Sequence, residues 1–251
     1  MKHFAVAAAA IAAVVGTPVS AKAVLDLRAA EGQQSRMENG VEAINSDMPH
    51  SSVRIFKVEE KVGKRGTIQI VVLNASDQPT NLGSENVDMR SDSGTAIETI
   101  SYERLVKEEK HRQMWAAIGA AMGAAANNIN AANAGNTYGT VNTYGSGYSS
   151  QSTFTAYNPG QTYAAQSLAN AQNQQTFDRL GATSAAAMEA LKANLRTTTI
   201  DPGRSFGGQV MYELPKDLRS AKGDVPLLIR VKVAGDEHVF HGVLVNSKKK
   251  K

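Results

Sequence analysis

The spacing of apolar positions along this chain changes twice, and the changes divide it into three parts. Residues 24–50 are mixed, with Gly40 to Ile44 as a first candidate strand. A period of two then sets in. Val53-Arg54-Ile55-Phe56-Lys57-Val58 predicts a strand and Lys61 to Gly66 a basic turn. Thr67-Ile68-Gln69-Ile70-Val71-Val72-Leu73, rich in β-branched residues and ended by Asn74-Ala75-Ser76-Asp77, predicts another strand. Leu82 to Met89 suggests a further short strand. Ser91-Asp92-Ser93-Gly94 reads as a turn, because Asp and Ser bond their own backbone and Gly accepts positive φ.

After Ser101 the spacing becomes helical. Ser101 is a plausible N-cap, with Glu103 in the first turn, where the helix dipole favours an anion. Leu105, Trp115, Ile118, Met122, Ala125 and Ile129 fall mostly three and four apart, and Phe177, Leu180, Ser184, Met188, Leu191 and Leu195 form a second such run. Between the runs, 135–160 is rich in Gly, Tyr, Ser, Thr and Asn and cannot be helical throughout. The period of two returns at 197–246: Asp201-Pro202-Gly203 is a turn, Gly207 to Leu214 and Leu227 to Val233 are strands, and Ala234-Gly235-Asp236 turns into Glu237 to Val245.

Charge sharpens this division. Charged residues make up 20% of the chain, yet none occurs over the 65 residues from Gln113 to Phe177, which hold five of the seven tyrosines. A β-rich domain (24–100 and 197–246) is therefore interrupted at 101–196 by an Ala-rich helical hairpin with a Tyr/Gly/Asn tip. Long insertions between surface elements cost little loop entropy.

The termini and composition exclude several classes. Residues 1–23 have a basic start, an apolar run from Phe4 to Val15, a Gly16-Thr17-Pro18 break and an Ala21-Lys22-Ala23 cleavage pattern. This is the layout of a secretory signal, with a mature start near Val24. The run is too short for a membrane span, which needs about 20 apolar residues. The chain has no cysteine, so disulfides, thiolate metal sites, cysteine nucleophiles and a lipidated cysteine are out. The formal charge of +4 is misleading: without Lys2, Lys22 and the terminal Lys248 to Lys251, the body is at −2. The tail 247–251 reads as a solvated end, with attraction to an anionic envelope as the minor reading, and nucleic acid is excluded as a partner.

One resemblance is carried by turn residues. Ile68 to Pro79 with Glu85-Asn86-Val87 and Ser91 to Gly94, and later Ile200 to Gly203, Gly208 to Pro215 and Pro226 to Val231, resemble a family of bacterial secreted, envelope-associated immunoglobulin-like domains. The resemblance covers roughly 53–100 and 197–245. It implies an immunoglobulin-like antiparallel β-sandwich, so that the expected class is α+β, a sandwich interrupted by a long antiparallel helical hairpin. It implies no catalytic residue set.

Candidate chemistry is sparse. His238 and His241 lie beside Asp236 and Glu237, but residues three apart on a strand face opposite ways, so no metal site is expected. Gly145-Ser146-Gly147 lacks the context of a nucleophile elbow and Gly207-Gly208 the spacing of a phosphate loop, so neither an enzyme nor a cofactor is expected.

Gly119-Ala120-Ala121-Met122-Gly123 has the spacing of close helix contacts, with packing on the second helix favoured over packing on another molecule. Asn127, Asn128 and Asn130 follow directly and argue against lipid burial. The tip repeats Thr-Tyr-Gly at 137–139 and 143–145, in the composition of an adaptable binding loop and equally of a disordered linker.

The expectation is a non-catalytic envelope interaction or assembly protein, periplasmic or at the cell surface. It would engage a protein partner or a second copy, and is not transmembrane. The candidate contacts are Tyr138, Tyr144, Tyr148 and Tyr157 at the tip, and Trp115, Gly119, Met122 and Gly123 on the helix. The alternative is a glycan- or peptidoglycan-binding module using the tip tyrosines.

Overall fold

The computed structural model describes residues 23–38, 40–57, 62–146, 148–221 and 223–246. The signal expected at 1–23 and the basic tail at 247–251 lie outside them, Ala23 excepted. In chain order the strands are β1 (Ala23–Arg28), β2 (Gln34–Glu38), β3 (Val41–Asp47), β4 (Ser51–Lys57), β5 (Arg65–Asn74), β6 (Thr80–Leu82), β7 (Val87–Ser91) and β8 (Ala96–Ile100). The insert is α1 (Tyr102–Asn133), β9 (Asn136–Gly145), β10 (Tyr148–Tyr157) and α2 (Pro159–Leu191). The chain then forms β11 (Thr198–Ile200), β12 (Ser205–Glu213), α3 (Lys216–Ser220), β13 (Val225–Val233) and β14 (Asp236–Asn246).

The expected immunoglobulin-like sandwich does not form. Ten strands make one antiparallel sheet in the order β1-β14-β13-β7-β8-β12-β5-β4-β3-β2, curled into a nearly closed barrel. The join is β8. It pairs with β7 on one side (Met89↔Ile97, Arg90↔Ala96) and with β12 on the other (Met211↔Ile100, Tyr212↔Thr99, Glu213↔Glu98), so the sheet is continuous where a sandwich would have two free edges. Near the far side, Ala23 and Val62 exchange backbone hydrogen bonds of 3.1 and 2.6 Å, drawing β1 against the approach to β5. The Gln33 side chain donates to Val239 O at 2.8 Å, tying the β1–β2 loop to β14.

Alternation drives this closure. Ile68, Ile70 and Val72 of β5 and Leu227, Ile229, Val231 and Val233 of β13 point inward, together with Val53 and Ile55 of β4 and Phe240 and Leu244 of β14. Each fully buried side chain of this size contributes about 1.5–3 kcal/mol. Leu82 to Met89 is not one strand, because a 3-10 turn at Ser84–Asn86 separates β6 from β7. The Asn74 side chain ends β5. Its amide donates to Gln78 O (2.8 Å) and Ile200 O (2.9 Å), and its oxygen accepts from the Ser76 backbone N–H (3.1 Å) and hydroxyl (2.7 Å).

The insert leaves the barrel at β8 and returns through β11. The Ser101 hydroxyl caps α1 by accepting from Arg104 N, and Asn158 caps α2 by accepting from Gly160 N and Gln161 N, with Pro159 in the first helical turn. Away from the base of the arm the two helices touch chiefly each other.

Candidate functional site: the uncharged arm

Charged residues anchor the insert at its base. Arg65 of β5 holds Glu108 of α1 through two hydrogen bonds (2.7 and 3.1 Å) and Glu213 of β12 through one (3.2 Å). Arg104 reaches the same Glu108 (3.2 Å) and also Glu98, while Lys64 pairs with Glu213 at 3.0 Å. The hydrogen bond from Arg65 holds the Glu108 carboxyl below its usual range, and Lys64 does the same for Glu213. The Arg196 guanidinium lies 5.1 Å from the centre of the Tyr102 ring.

Beyond Arg112 the arm carries no charge until Asp178. The helices run antiparallel, since Gln113 donates to Ser184 O (3.3 Å), Asn127 to Asn173 (3.0 Å) and Asn173 to Asn128 (3.2 Å). The shielded positions that mark the seam are small on α1 (Ala116, Ala120, Ala124 and Ala131) and mostly small or amide on α2 (Thr162, Ala165, Ala169, Asn173 and Ser184), with Leu180 among them. Only Leu105, Ala131, Thr162 and Ala169 of the two helices are buried.

The large apolar side chains of α1 are elsewhere. Trp115, Ile118, Met122 and Ile129, at spacings of three, four and seven, lie roughly half a turn from the seam at about 100° per residue. Trp115 is 58% exposed and Met122 70%. The indole N–H of Trp115 donates to His111 Nε2 at 3.0 Å, so its polar group is satisfied within α1 and the ring presents an apolar surface. Gly119 and Gly123 are not in the seam: a Cβ at either would meet nothing within 4 Å. The favoured expectation for this pair, packing on the second helix, is therefore replaced by an alanine seam.

The tip is an antiparallel ribbon. β9 and β10 pair without interruption from Asn136↔Tyr157 to Gly145↔Tyr148. Side chains alternate across a strand, so Tyr138 and Tyr144 share one face. Tyr157, opposite Asn136, shares it too. Tyr138 and Tyr144 are 75% and 79% exposed. Tyr148 contributes its backbone to the pairing. On the other face the Phe154 ring lies over Gly139, leaving no room for a Cβ. At the root of the ribbon, Asn158 N donates to Gly135 O at 2.8 Å and Gly135 packs against Thr162. An open groove of about 230 Å³ beneath the tip is lined by Asn127, Asn130, Ala131, Leu168 and Gln172.

The barrel brings together a polar cluster that sequence reasoning did not find. The Ser51 hydroxyl donates to Asp236 Oδ2 at 2.8 Å and lies 2.8 Å from His238 Nε2; His238 Nδ1 lies 3.0 Å from the Ser46 hydroxyl. With its proton given to Asp236, Ser51 accepts from the ring when His238 Nε2 carries the hydrogen. That polarity is the reverse of a nucleophile facing its base. Ser51 and His238 are fully buried. Burial pushes the His238 pKa down, against the pull of Asp236 and Asp47. Burial raises the Asp236 pKa, but hydrogen bonds from Ser51 and His50 outweigh it and the net direction is down. His241, three residues on, faces solvent, and among the described residues no three His, Asp or Glu gather as a metal site.

Comparison with known proteins adds little to this geometry. No family model matches the chain. No curated protein matches it either. A solved structure of a provisionally named lipoprotein, ycdA, from Bacillus subtilis is similar at 9% identity over 88% of this chain, with a TM-score of 0.31. This chain spans 40% of that protein, and a likeness of that size carries no argument. Among the described residues no helix is long and apolar enough to cross a membrane.

Proposed function

We propose that this chain is a non-catalytic interaction or assembly protein of the cell envelope, in which the barrel is a platform and the uncharged arm makes the contact. The reading rests on the outward stripe Trp115, Ile118, Met122 and Ile129. A stable helical hairpin normally turns such residues into its seam, whereas here α1 turns alanines into it and leaves its large groups outside. The leader pattern at 1–23 supports an envelope location. The test is co-sedimentation of the protein with isolated envelopes. Retention that is lost in Trp115→Lys/Met122→Lys supports the reading; equal retention of both proteins overturns it.

The three exposed tyrosines on one ribbon face support a second reading, a glycan- or peptidoglycan-binding arm. Aromatic rings can cover sugar faces with few rotors to freeze. Pull-down with purified peptidoglycan, lost in Tyr138→Ala/Tyr144→Ala but kept in the helix variant, separates it from the first.

A further inference from the structure

The tip ribbon has two strands and therefore two edges, and neither pairs with any other strand among the described residues. Proteins usually blunt such edges with lysines, prolines, bulges or a covering element. This ribbon has none of these. From Asn136 to Tyr157 there is no charge and no proline, and the ten-residue pairing runs without a bulge. It stands at the end of a 32-residue helix, about 48 Å of helix away from the barrel, so no other strand among the described residues is within reach to cap it. A two-stranded ribbon alone in water is marginal, and added strands would stabilise it.

We propose that the occupant of these edges is the ribbon of a second copy of this chain, joined by edge-to-edge antiparallel pairing. This rests on the assembly reading of the arm. Three observations favour a copy over a foreign strand. Each ten-residue edge turns about five N–H and five C=O groups outward, so two mated edges form about ten hydrogen bonds, the number carried by a standard protein interface. Two uncharged ribbons meet without like-charge repulsion, while a charged foreign strand would find no counter-charge on this one. Finally, Thr137-Tyr138-Gly139-Thr140 recurs as Thr143-Tyr144-Gly145-Ser146, an offset of six. An even offset keeps both units on the same faces, so antiparallel pairing of two β9 edges with Tyr138 opposite Tyr144 sets the tyrosines of the two copies side by side and places Thr137 and Thr143 opposite Gly145 and Gly139. Because both edges are open, the pairing can propagate beyond a dimer.

The test is light scattering on the full chain over a concentration series, with two variants that place one charge on each strand and on opposite faces: Thr140→Lys/Ser152→Lys and Thr140→Glu/Ser152→Glu. The wild type should form oligomers that grow with concentration. Each variant alone should stay monomeric, and an equimolar mixture of the two should recover at least half of the wild-type oligomer. Recovery on mixing also excludes misfolding as the cause of the monomers. A wild type that is monomeric throughout overturns the proposal. Oligomers untouched by the tip charges but broken by Trp115→Lys/Met122→Lys overturn it while leaving the arm as the contact. Oligomers untouched by either set overturn both.

Discussion

The barrel and the arm are built from one chain under opposite rules. Inside the barrel, Ile68, Ile229, Phe240 and Leu244 are fully buried, and nearly every large apolar side chain of the strands turns to a common interior. In the arm, helices of 32 and 33 residues bury two residues each, and Trp115, Ile118, Met122 and Ile129 of α1 face away from α2. The barrel is held by burial. The arm is held by backbone hydrogen bonds within its helices, good helix formers along the seam, and a salt-bridged base. Burial that stabilises a domain also hides its side chains, so a segment that leaves Trp115, Met122 and Tyr144 exposed has to find its stability elsewhere.

That contrast predicts its own sharpest break. Phe240→Ala removes a fully buried ring from the barrel and should cost about 3–5 kcal/mol, whereas Trp115→Ala on the arm should stay within about 0.5 kcal/mol. Chemical denaturation followed by circular dichroism measures both. A Trp115 cost close to that of Phe240 would mean the stripe is packed rather than presented.

Asn74 comes next, since it joins the end of β5 to the strand returning from the arm. Asn74→Ala takes the partner from the buried Ile200 O and from the half-buried Ser76 N–H, while Gln78 O keeps the Ser76 hydroxyl, and unsatisfied buried groups cost about 1–3 kcal/mol each. A loss of about 3 kcal/mol in the same assay is expected. A cost below about 0.5 kcal/mol would show that water replaces the side chain.

His238 offers a break that uses pH alone. Its proton affinity is lowered by burial in the folded barrel, so the unfolded chain binds a proton first. Stability from this group is therefore complete above the unfolded pKa of about 6.5 and declines as the pH falls below it toward the lower folded-state value. The arm carries no charge from Gln113 to Phe177 and should show no corresponding change. Thermal unfolding at a series of pH values from 7.5 to about 5, compared with His238→Gln, measures the effect; a variant with an unchanged slope would remove His238 as its source.

The two regions also differed in how far they could be read from residue order. β4, β5, β12, β13 and β14 were legible because each has one buried face and hence a period of two. The same period cannot distinguish a sandwich from a curled sheet: both need one-sided strands, and the difference lies in β8, five residues whose two partners are fixed by contacts far away in the chain. β1 and β2 were hidden by polar residues such as Asp26, Gln34 and Arg36 at their outward positions. The Ser51–His238 pair is separated by 187 residues and becomes close only through the curl. In the arm, the helices and the Ser101 cap could be read from the sequence, but the Asn158 cap and which face met which could not. A seam of alanine has no hydropathy signal to oppose the Trp115 stripe. The ribbon at 136–157 alternates in shape rather than polarity, so its period was invisible.

The smallest effect concerns the turn between β13 and β14. Val233↔Asp236 closes a two-residue loop, and both loop residues have positive φ, Ala234 at 51° and Gly235 at 84°. Such turns favour Asn-Gly, and a left-handed alanine costs about 1–2 kcal/mol. Ala234→Asn keeps the backbone N–H that bonds Thr80 Oγ1 and relieves part of that cost, so the barrel should melt about 2 °C higher. The matched change in the arm is Gly119→Ala, where a Cβ meets open space and helix propensity alone favours the substitution by about 1 kcal/mol. If the two regions are separate in stability, that gain should appear as slower hydrogen exchange in α1 with the barrel's melting temperature unchanged. A shift of the barrel transition by Gly119→Ala would show that the arm unfolds with the barrel, and that the salt bridges at Arg65 couple the two more tightly than the absence of a shared core suggests.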